Sequence, residues 1–325
     1  MASTTTTPSG RVQRPPLNLS GKKNRQRSEH IIRWILIACS LVTVATTVGI
    51  ITILLWEAVN FFREIPVWEF LFGTTWTPLF EGAQQEFGVV PLVMGTLMTT
   101  LIAALIALPL GLAAAIYLSE IAGERARSIL KPVLEVLAGV PTIVYGFFAL
   151  TFITPVLLEP LFPRLGTFNG LSAGIAIGIM ALPTVASMSE DAIRAVPRSL
   201  REAAYGLGAT RFETTMRVVV PAAISGVIAS FILAISRAIG ETMIVAVAAG
   251  QAPAGQSGAS SGWWDLTQSM QTMTGFIAYT FSSDISRSST AFYSLFGVGL
   301  LLFIMTFAMN LLSQWITKRY REEYD

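Results

Sequence analysis

The sequence predicts an all-α integral membrane protein with about six transmembrane helices. Hydrophobic residues make up 53% of the chain, charged residues 13%, and the mean hydropathy is +0.61. Soluble proteins carry about 25% charged residues. Six apolar runs are long enough to cross the hydrocarbon core, which takes about 20 helical residues. These runs lie near residues 31–62, 89–118, 129–158, 171–188, 218–250 and 291–316.

Two polar ends flank a membrane domain that we expect to cover residues 29–320. Residues 1–28 are rich in Ser, Thr, Pro and basic side chains. Such a segment has little apolar surface to bury, so we expect a disordered arm. The apolar run after it is too long for a signal peptide and lacks a small-residue cleavage site, which predicts an uncleaved anchor. Residues 321–325 form a short tail.

The distribution of Lys and Arg predicts that both termini lie in the cytoplasm. Short cytoplasmic loops carry an excess of basic residues. The arm, the segment after the second run, the segment around 194–217 and the tail are rich in Lys and Arg. The segments 63–87, 159–169 and 251–290 each contain a single Arg. Basic and poorly basic segments therefore alternate along the whole chain.

Glycine and proline occur inside three of the apolar runs. They form the sequences Leu108-Pro109-Leu110-Gly111, Gly139-Val140-Pro141 and Ala181-Leu182-Pro183-Thr184. We expect these residues to interrupt three spans and to free backbone carbonyls, which lipid does not tolerate. The interruptions therefore indicate helices packed inside a bundle, either around a pathway or through ordinary small-residue contacts.

A polar segment at residues 197–221 separates the fourth and fifth runs. Its charged side chains, Arg201 and Glu202 among them, would each cost about 2.5 kcal/mol or more in hydrocarbon, so the segment lies outside the bilayer. Helix formers come first, Gly206 and Gly208 follow, and a short amphipathic piece precedes Pro221. This order predicts a helix, a glycine bend and a second short helix, unless the segment is an ordinary solvated loop.

The fifth run contains the charged sequence Ser236-Arg237-Ala238-Ile239-Gly240-Glu241-Thr242. Charges at membrane depth are rare and usually functional. Arg237 and Glu241 are four residues apart, so we expect them to share a helix face and to form an ion pair. The remaining guanidinium donors would then be free to bind a tetrahedral oxyanion. The alternative is an ion pair that only holds two helices together.

Several classes of chemistry are not supported by the sequence. The chain has no Gly-x4-Gly-Lys-Ser/Thr phosphate-binding loop, so we expect no ATP hydrolysis and no catalytic residue in this subunit. His30 and Cys39 are the only His and Cys, which rules out a His/Cys metal site and an intrachain disulfide. We expect no metal and no cofactor. Lipid contact explains the basic arm more simply than nucleic acid does.

The 197–221 segment resembles the EAA loop of ABC-importer permeases. Glu202-Ala203-Ala204 is followed by Gly208 and then by Pro221, although Val218 and Val220 stand where that pattern usually has Ile and Leu. The sequence 237–243, Gln271-Thr272-Met273-Thr274, Val140-Pro141-Thr142 and Tyr145-Gly146 make the resemblance narrower. Together they are similar to the permeases of bacterial high-affinity phosphate ABC importers, of the PstC type. The similarity covers roughly residues 30–320.

This resemblance implies a MetI-like permease fold in a bacterial inner membrane and roles for two sets of residues. In the family, the Arg and Glu of the fifth span are tied to phosphate passage, so the implied substrate-pathway residues are Ser236, Arg237, Glu241 and Thr242. The implied contacts with an ATPase come from the EAA loop and are Glu202, Ala203, Ala204, Gly208, Ala209 and Phe212.

The resemblance also implies partners. These are a PstA-type permease forming a heterodimer, two PstB-type ATPase subunits, and a PstS-type phosphate-binding protein outside the cell. The implied mechanism is alternating access driven by ATP. Two alternatives remain open from the residues: an ABC permease for another oxyanion such as molybdate or sulfate, and an ion-coupled secondary transporter or channel. The latter would favour an inverted repeat, which the sequence does not display.

Overall fold

The computed structural model describes residues 22–80, 84–253, 255 and 262–319, with side chains from residue 29. The α-helices in these ranges are α1 (Lys22–Glu64), α2 (Val67–Phe72), α3 (Val90–Ile116), α4 (Glu124–Gly139), α5 (Thr142–Phe148), α6 (Gly170–Ala195), α7 (Arg198–Gly206), α8 (Arg211–Thr214), α9 (Val220–Ala222), α10 (Ile224–Ile239), α11 (Met243–Ala248), α12 (Met273–Ser282) and α13 (Thr290–Arg319). Segments of π-helix follow α3 (Tyr117–Ile121), α5 (Ala149–Leu158) and α8 (Thr215–Val219).

Four continuous helices in the described ranges are long and apolar enough to cross a membrane: Glu29–Glu64, Val90–Ile121, Gly170–Ala195 and Thr290–Arg319. Two bent helix pairs pass the same test, which brings the total to as many as six spans by length and composition. The six predicted runs correspond to these four helices and two bent pairs.

The ends of the helices differ from the sequence expectation in two places. α1 begins at Lys22, before the predicted start near residue 31. The predicted disorder of the arm falls mainly on residues 1–21, which lie outside the described residues, as does the tail at 321–325. α6 continues to Ala195, beyond the predicted end at 188, and therefore includes Glu190 and Arg194.

Only one of the three predicted proline interruptions occurs. α3 runs through Pro109 and α6 through Pro183, because a helix surrounded by apolar groups has few other partners for its backbone and keeps its hydrogen bonds. The third predicted span is interrupted after Gly139, where α4 and the helix that begins at Thr142 meet at 91°. The Tyr145 hydroxyl donates to the carbonyl of Leu137 at 2.6 Å, so a side chain satisfies this carbonyl near the end of α4.

The fifth predicted span, 218–250, is not one helix. Residues Arg211–Ala222 form a first piece, and α10 follows at an angle of 69°. α10 then ends at Ile239, with Gly240 as its C-terminal cap, and α11 begins at Met243. The expectation of a continuous helix through Glu241 was therefore wrong. Glycine has the lowest helix propensity after proline, which favours the end of the helix at Gly240.

The chain forms two compact units, with the first ending at Ile53 and the second beginning at Leu54. In the second unit, α3 and α6 share the most extensive contact among the described elements. Glycine allows their close approach. A Cβ atom on Gly174 of α6 would lie 2.7 Å from Cβ of Ile102, and one on Gly111 of α3 would lie 2.6 Å from Cβ of Val185. Small residues serve the same purpose in many membrane helix pairs.

The two longest predicted loops contain buried structure. In the 63–87 segment, Phe70, Trp76 and Phe87 form an aromatic cluster with Phe61 of α1. The 251–290 segment contains α12, whose Phe276 packs edge-on against Trp76 at 4.8 Å between ring centroids. The search for spans missed α12 because this helix has 10 residues, about half of what a transmembrane helix needs.

Candidate functional site

Glu241 lies in the break between α10 and α11 and acts as a helix cap. Its Oε1 atom accepts hydrogen bonds from the backbone N–H groups of Met243 at 3.1 Å and Ile244 at 3.3 Å. These are unpaired donors at the start of α11, and a carboxylate there is favourable for both hydrogen bonding and the helix dipole. The Glu241 side chain is 8% exposed. The Glu241 carboxylate therefore stabilises the break between the two helices by capping α11.

The predicted ion pair between Arg237 and Glu241 is absent from the described ion pairs. The prediction assumed a continuous helix, in which residues four apart share a face. Because α10 ends at Ile239, the two side chains no longer have that relation. The charge of Arg237 is thus not neutralised by the carboxylate that the sequence suggested.

Arg237 is exposed in the last turn of α10 and reaches toward α6. Its NH1 atom donates to Oγ1 of Thr184 at 3.4 Å. It is also close enough to Tyr145 of α5 for its charge to act on the phenol. Arg237 forms no ion pair with a carboxylate in the part of the chain that the structure describes. Among the described residues it has one long hydrogen bond, and several of its N–H donors have no protein partner there.

The other two predicted pathway residues, Ser236 and Thr242, differ in their hydrogen bonding. The Ser236 hydroxyl is buried and has no hydrogen-bond partner among the described residues. Thr242 donates from Oγ1 to the carbonyl of Gly240 at 3.3 Å. Thr274 of α12 was not predicted as a site residue, yet its hydroxyl donates to the backbone carbonyl of Glu241 at 2.7 Å. α12 therefore helps to fix the break.

The 197–221 segment forms the predicted helix, bend and second helix. α7 includes Gly206, so the bend begins one residue later than expected, and Gly208 has φ +84°. This left-handed conformation favours glycine. Thr210 and Glu213 then form a capping box at the start of α8. The backbone N–H and the hydroxyl of Thr210 both donate to the Glu213 carboxylate and lower the pKa of Glu213 below its usual 4.5.

The predicted contact residues of this segment divide into an exposed and a packed set. Leu207 is 90% exposed at the bend, and Phe212 is exposed beside it. Glu202 and Ala203 are exposed on α7. Ala204 is buried, and its carbonyl accepts a hydrogen bond from the N–H of Ala209 at 3.1 Å. The segment thus presents an apolar tip to its surroundings.

Arg201 joins α7 to the ends of two long helices. Its NH2 atom donates to Oε1 of Glu120, in the π-helical turn after α3, at 2.8 Å. The same guanidinium donates to the carbonyl of Val196 at 2.6 Å and to that of Ile193 at 2.9 Å, at the end of α6. The side chains of Arg201 and Glu120 are 16% and 8% exposed. The sequence alone identified Arg201 only as a charge that keeps the segment out of lipid.

A second charged group, the Glu190 cluster, joins α4 to α6. Glu190 is 1% exposed and pairs with Arg127 of α4. Lys131 Nζ lies 3.6 Å from its Oε2 atom, and Arg194 NH1 lies 3.7 Å from its Oε1 atom. Glu190 lies beyond the predicted end of the fourth span at residue 188. The available signal was Glu190 with Arg194 four positions later, just beyond that span.

A recess of about 420 Å³ opens beside these two charged groups. We call it the arginine recess. The side chains around it are mostly arginines, and they are Ser119, Glu120, Arg127, Arg194, Arg198, Arg201, Glu202, Tyr205 and Arg211. Within the described ranges, no group of three or more His, Cys, Asp or Glu residues is placed to hold a metal ion.

Comparison with known proteins agrees with this architecture. The family described as "Binding-protein-dependent transport system inner membrane component" matches residues 107–322. A Bacillus subtilis protein named "Probable ABC transporter permease protein YqgH" is 34% identical over 93% of this chain and 94% of its own length. The "Phosphate transport system permease protein PstC" of Mesorhizobium japonicum is 33% identical over 81% of each chain.

Solved structures share the fold. A chain of the inward-facing MetNI methionine ABC transporter is similar with a TM-score of 0.53 and 20% identity, over 72% of this chain and 95% of that chain. A chain of a bacterial alginate ABC transporter gives a TM-score of 0.61 at 12% identity, over 93% of this chain and 98% of that one. These likenesses confirm the all-α, MetI-like permease fold. Such permeases work with a partner permease, an ATPase that carries the hydrolysis, and a substrate-binding protein. The protein belongs to the family of binding-protein-dependent transport system inner membrane components.

Proposed function

We propose that this chain is the PstC-type permease of an ATP-driven importer that carries inorganic phosphate across the bacterial cytoplasmic membrane. Its partners are a PstA-type permease, two PstB-type ATPase subunits and an external PstS-type binding protein. Support comes from relatives named PstC in several bacteria, each 31–33% identical over about 80% of this chain. The uneven distribution of Lys and Arg supports a cytoplasmic position for both termini.

The observation that carries the proposal is the unneutralised charge of Arg237. The guanidinium lies at the end of an apolar helix and forms no described ion pair. A cation at membrane depth needs a counter-ion or water. Guanidinium is well matched to phosphate oxygens, because it presents several donors in a fixed plane. A passing phosphate supplies the missing negative charge.

The remaining pathway residues position Arg237 within this proposal. Glu241 and Thr274 hold the break that follows α10, and the break leaves Arg237 near the end of that helix. Thr184 gives the guanidinium a neutral partner. A neutral hydroxyl orients the cation without cancelling its charge. Thr242 bonds the backbone carbonyl of Gly240, and the buried Ser236 hydroxyl has no partner among the described residues.

The 197–221 segment couples the permease to the ATPase. Leu207 and Phe212 offer an apolar tip for a groove on the ATPase, and Glu202 lies exposed on the same segment. Arg201 then passes movement of α7 to the ends of α3 and α6. Because α3 and α6 pack closely, they move together. ATP binding and hydrolysis thereby alternate the access to Arg237 between the two sides of the membrane.

The test is phosphate uptake into proteoliposomes that contain the assembled complex with its binding protein and ATP. Arg237→Gln removes the charge in the path, and Arg287→Gln is the matched control, because Arg287 is exposed and lies outside the path. We expect Arg237→Gln to abolish uptake by complexes that still assemble. Arg237→Lys should retain a fraction of it, and Arg287→Gln should transport as the wild type does.

The substrate and the class of transporter are tested separately. Competition by sulfate and molybdate distinguishes phosphate from another oxyanion. Uptake without ATP or without the ATPase subunit would make the chain a secondary transporter and refute the proposal. Equal uptake by Arg237→Gln and Arg287→Gln would remove Arg237 from the path.

A further inference from the structure

A cavity whose lining includes five polar side chains lies between α4 and α6, and one of them, Thr184, is bonded to Arg237. Its volume is about 150 Å³, which is room for several waters. The residues that line it recur at helical spacing on facing sides of the two helices. They are Lys131, Leu134, Glu135 and Ala138 of α4, and Pro183, Thr184, Ser187 and Glu190 of α6. We call this surface the polar seam.

One end of the seam meets Arg237. Thr184 lines the cavity and accepts the hydrogen bond from the Arg237 guanidinium at 3.4 Å. Ser187 lies one helical turn farther along α6, so the two hydroxyls follow each other on one face. An anion that leaves Arg237 therefore meets hydroxyl donors first.

The other end of the seam meets the Glu190 cluster and the arginine recess. Lys131 and Glu190 line the cavity, and Arg127 and Arg194 of the same cluster line the recess of about 420 Å³. Cationic side chains thus occur at both ends of the seam. The seam connects the cation at the end of α10 with the basic recess near α7.

From this arrangement we infer that the seam is the inward half of the substrate path and that Lys131 is a second phosphate-binding residue in it. The inference rests on the proposed function. Lys131 Nζ is 3.6 Å from Glu190, farther than the Arg127 guanidinium that pairs with the same carboxylate. Glu190 therefore keeps a partner when Lys131 turns to an anion.

Several weak sites in a row suit transport, since each must bind firmly enough to accept the anion and weakly enough to release it. Lys131 is partly exposed, carries three donors on a flexible stem and binds phosphate as a point charge. Glu135 faces the same cavity. A carboxylate accepts hydrogen bonds, and the hydroxyl of hydrogen phosphate can donate one. Glu135 is therefore compatible with a protonated phosphate.

The first test compares Lys131→Gln with Lys131→Arg in the proteoliposome assay, with rates normalised to the amount of assembled complex. Loss of one charge-assisted contact lowers kcat/KM for phosphate uptake by about tenfold or more in Lys131→Gln. Lys131→Arg restores most of it. A merely structural role would lower the yield of complex and leave kcat/KM per complex unchanged, which would overturn the inference.

The second test measures access to the seam. Cys39 is replaced by Ser, and a new cysteine is placed at Ser187 or, as a control, at Val133 on the opposite face of α4. We expect an anionic thiol reagent to modify Ser187→Cys faster than a cationic reagent of similar size, and phosphate to slow the reaction. Val133→Cys should react without charge preference and without protection by phosphate.

The outcomes separate this inference from the proposed function. Phosphate uptake by the wild type, together with an unprotected Ser187→Cys and a wild-type kcat/KM in Lys131→Gln, would refute the seam and leave the proposed function standing. If the wild-type complex moves no phosphate, the proposed function fails and the seam fails with it.

Discussion

Replacing Arg201 by Met tests how α7 is joined to α3 and α6. The substitution removes a guanidinium that bonds Glu120 at 2.8 Å and the carbonyls of Val196 and Ile193. Breaking a buried ion pair on one side costs about 3–5 kcal/mol. Arg201 is 16% exposed, so we expect the lower end, about 3 kcal/mol. The unfolding entropy scales with length and is about 0.7 kcal/mol/K for the 325 residues of this chain, so the unfolding midpoint should fall by roughly 4 °C.

The assay is thermal unfolding of the purified assembled complex, followed by loss of the monodisperse peak in size-exclusion chromatography. Arg198→Met is the matched control, because Arg198 is exposed on the same helix and forms no described ion pair. Its effect should stay within about 0.5 kcal/mol. The double substitution Arg201→Met with Glu120→Met should be milder than Arg201→Met alone, since it removes the orphaned carboxylate.

The coupling of ATP hydrolysis to transport gives a second test of the Arg201 contacts. If Arg201 transmits movement, Arg201→Met lowers the amount of phosphate transported per ATP hydrolysed, measured at a temperature where the variant is fully assembled. Equal unfolding midpoints for Arg201→Met and Arg198→Met would refute the reasoning. A double variant as unstable as Arg201→Met would contradict the role assigned to Glu120.

Three other predictions concern the 197–221 segment and the packing of α6. Gly208→Ala should destabilise by about 1 kcal/mol because φ is +84°, whereas Gly206→Ala in α7 should not, and their unfolding midpoints compare the two. The pKa of Glu213 is lowered by its hydrogen bonds from Thr210, so the capping box stabilises the fold above pH 4.5, and this stabilisation is lost as pH falls through the folded pKa. Thr210→Ala should therefore weaken the loss of stability in acid, which a pH series of unfolding midpoints would reveal; parallel curves would contradict it. Gly174→Val should cost about 1–3 kcal/mol, since its Cβ atom would lie 2.7 Å from an α3 side chain, and an unchanged midpoint would mean that the helices can separate freely.

The fold could be predicted from the sequence where local properties decide it. Apolar length predicted the spans, and the order of helix formers and glycine predicted the shape of the 197–221 segment. The proline at position 183 was misread as an interruption, because whether a proline breaks a helix depends on the partners available to the freed carbonyl. Such partners come from other helices.

The candidate site could be predicted only in part. The sequence identified Arg237 as a charge at membrane depth, and the family confirms a permease. It assigned Glu241 the wrong partner, because the helix was assumed to pass through Gly240. The break instead turns the Glu241 carboxylate toward the N–H groups of α11.

The sequence by itself determined the class of protein, the approximate spans and the position of the charged segments. Hydropathy, propensity and charge are properties of neighbouring residues, and neighbours are visible in a sequence. Only the tertiary structure decided which charges meet. Arg201 bonds Glu120 across 81 positions and Arg127 bonds Glu190 across 63, because the packing of the long helices brings their ends together. The polar seam and the arginine recess exist for the same reason.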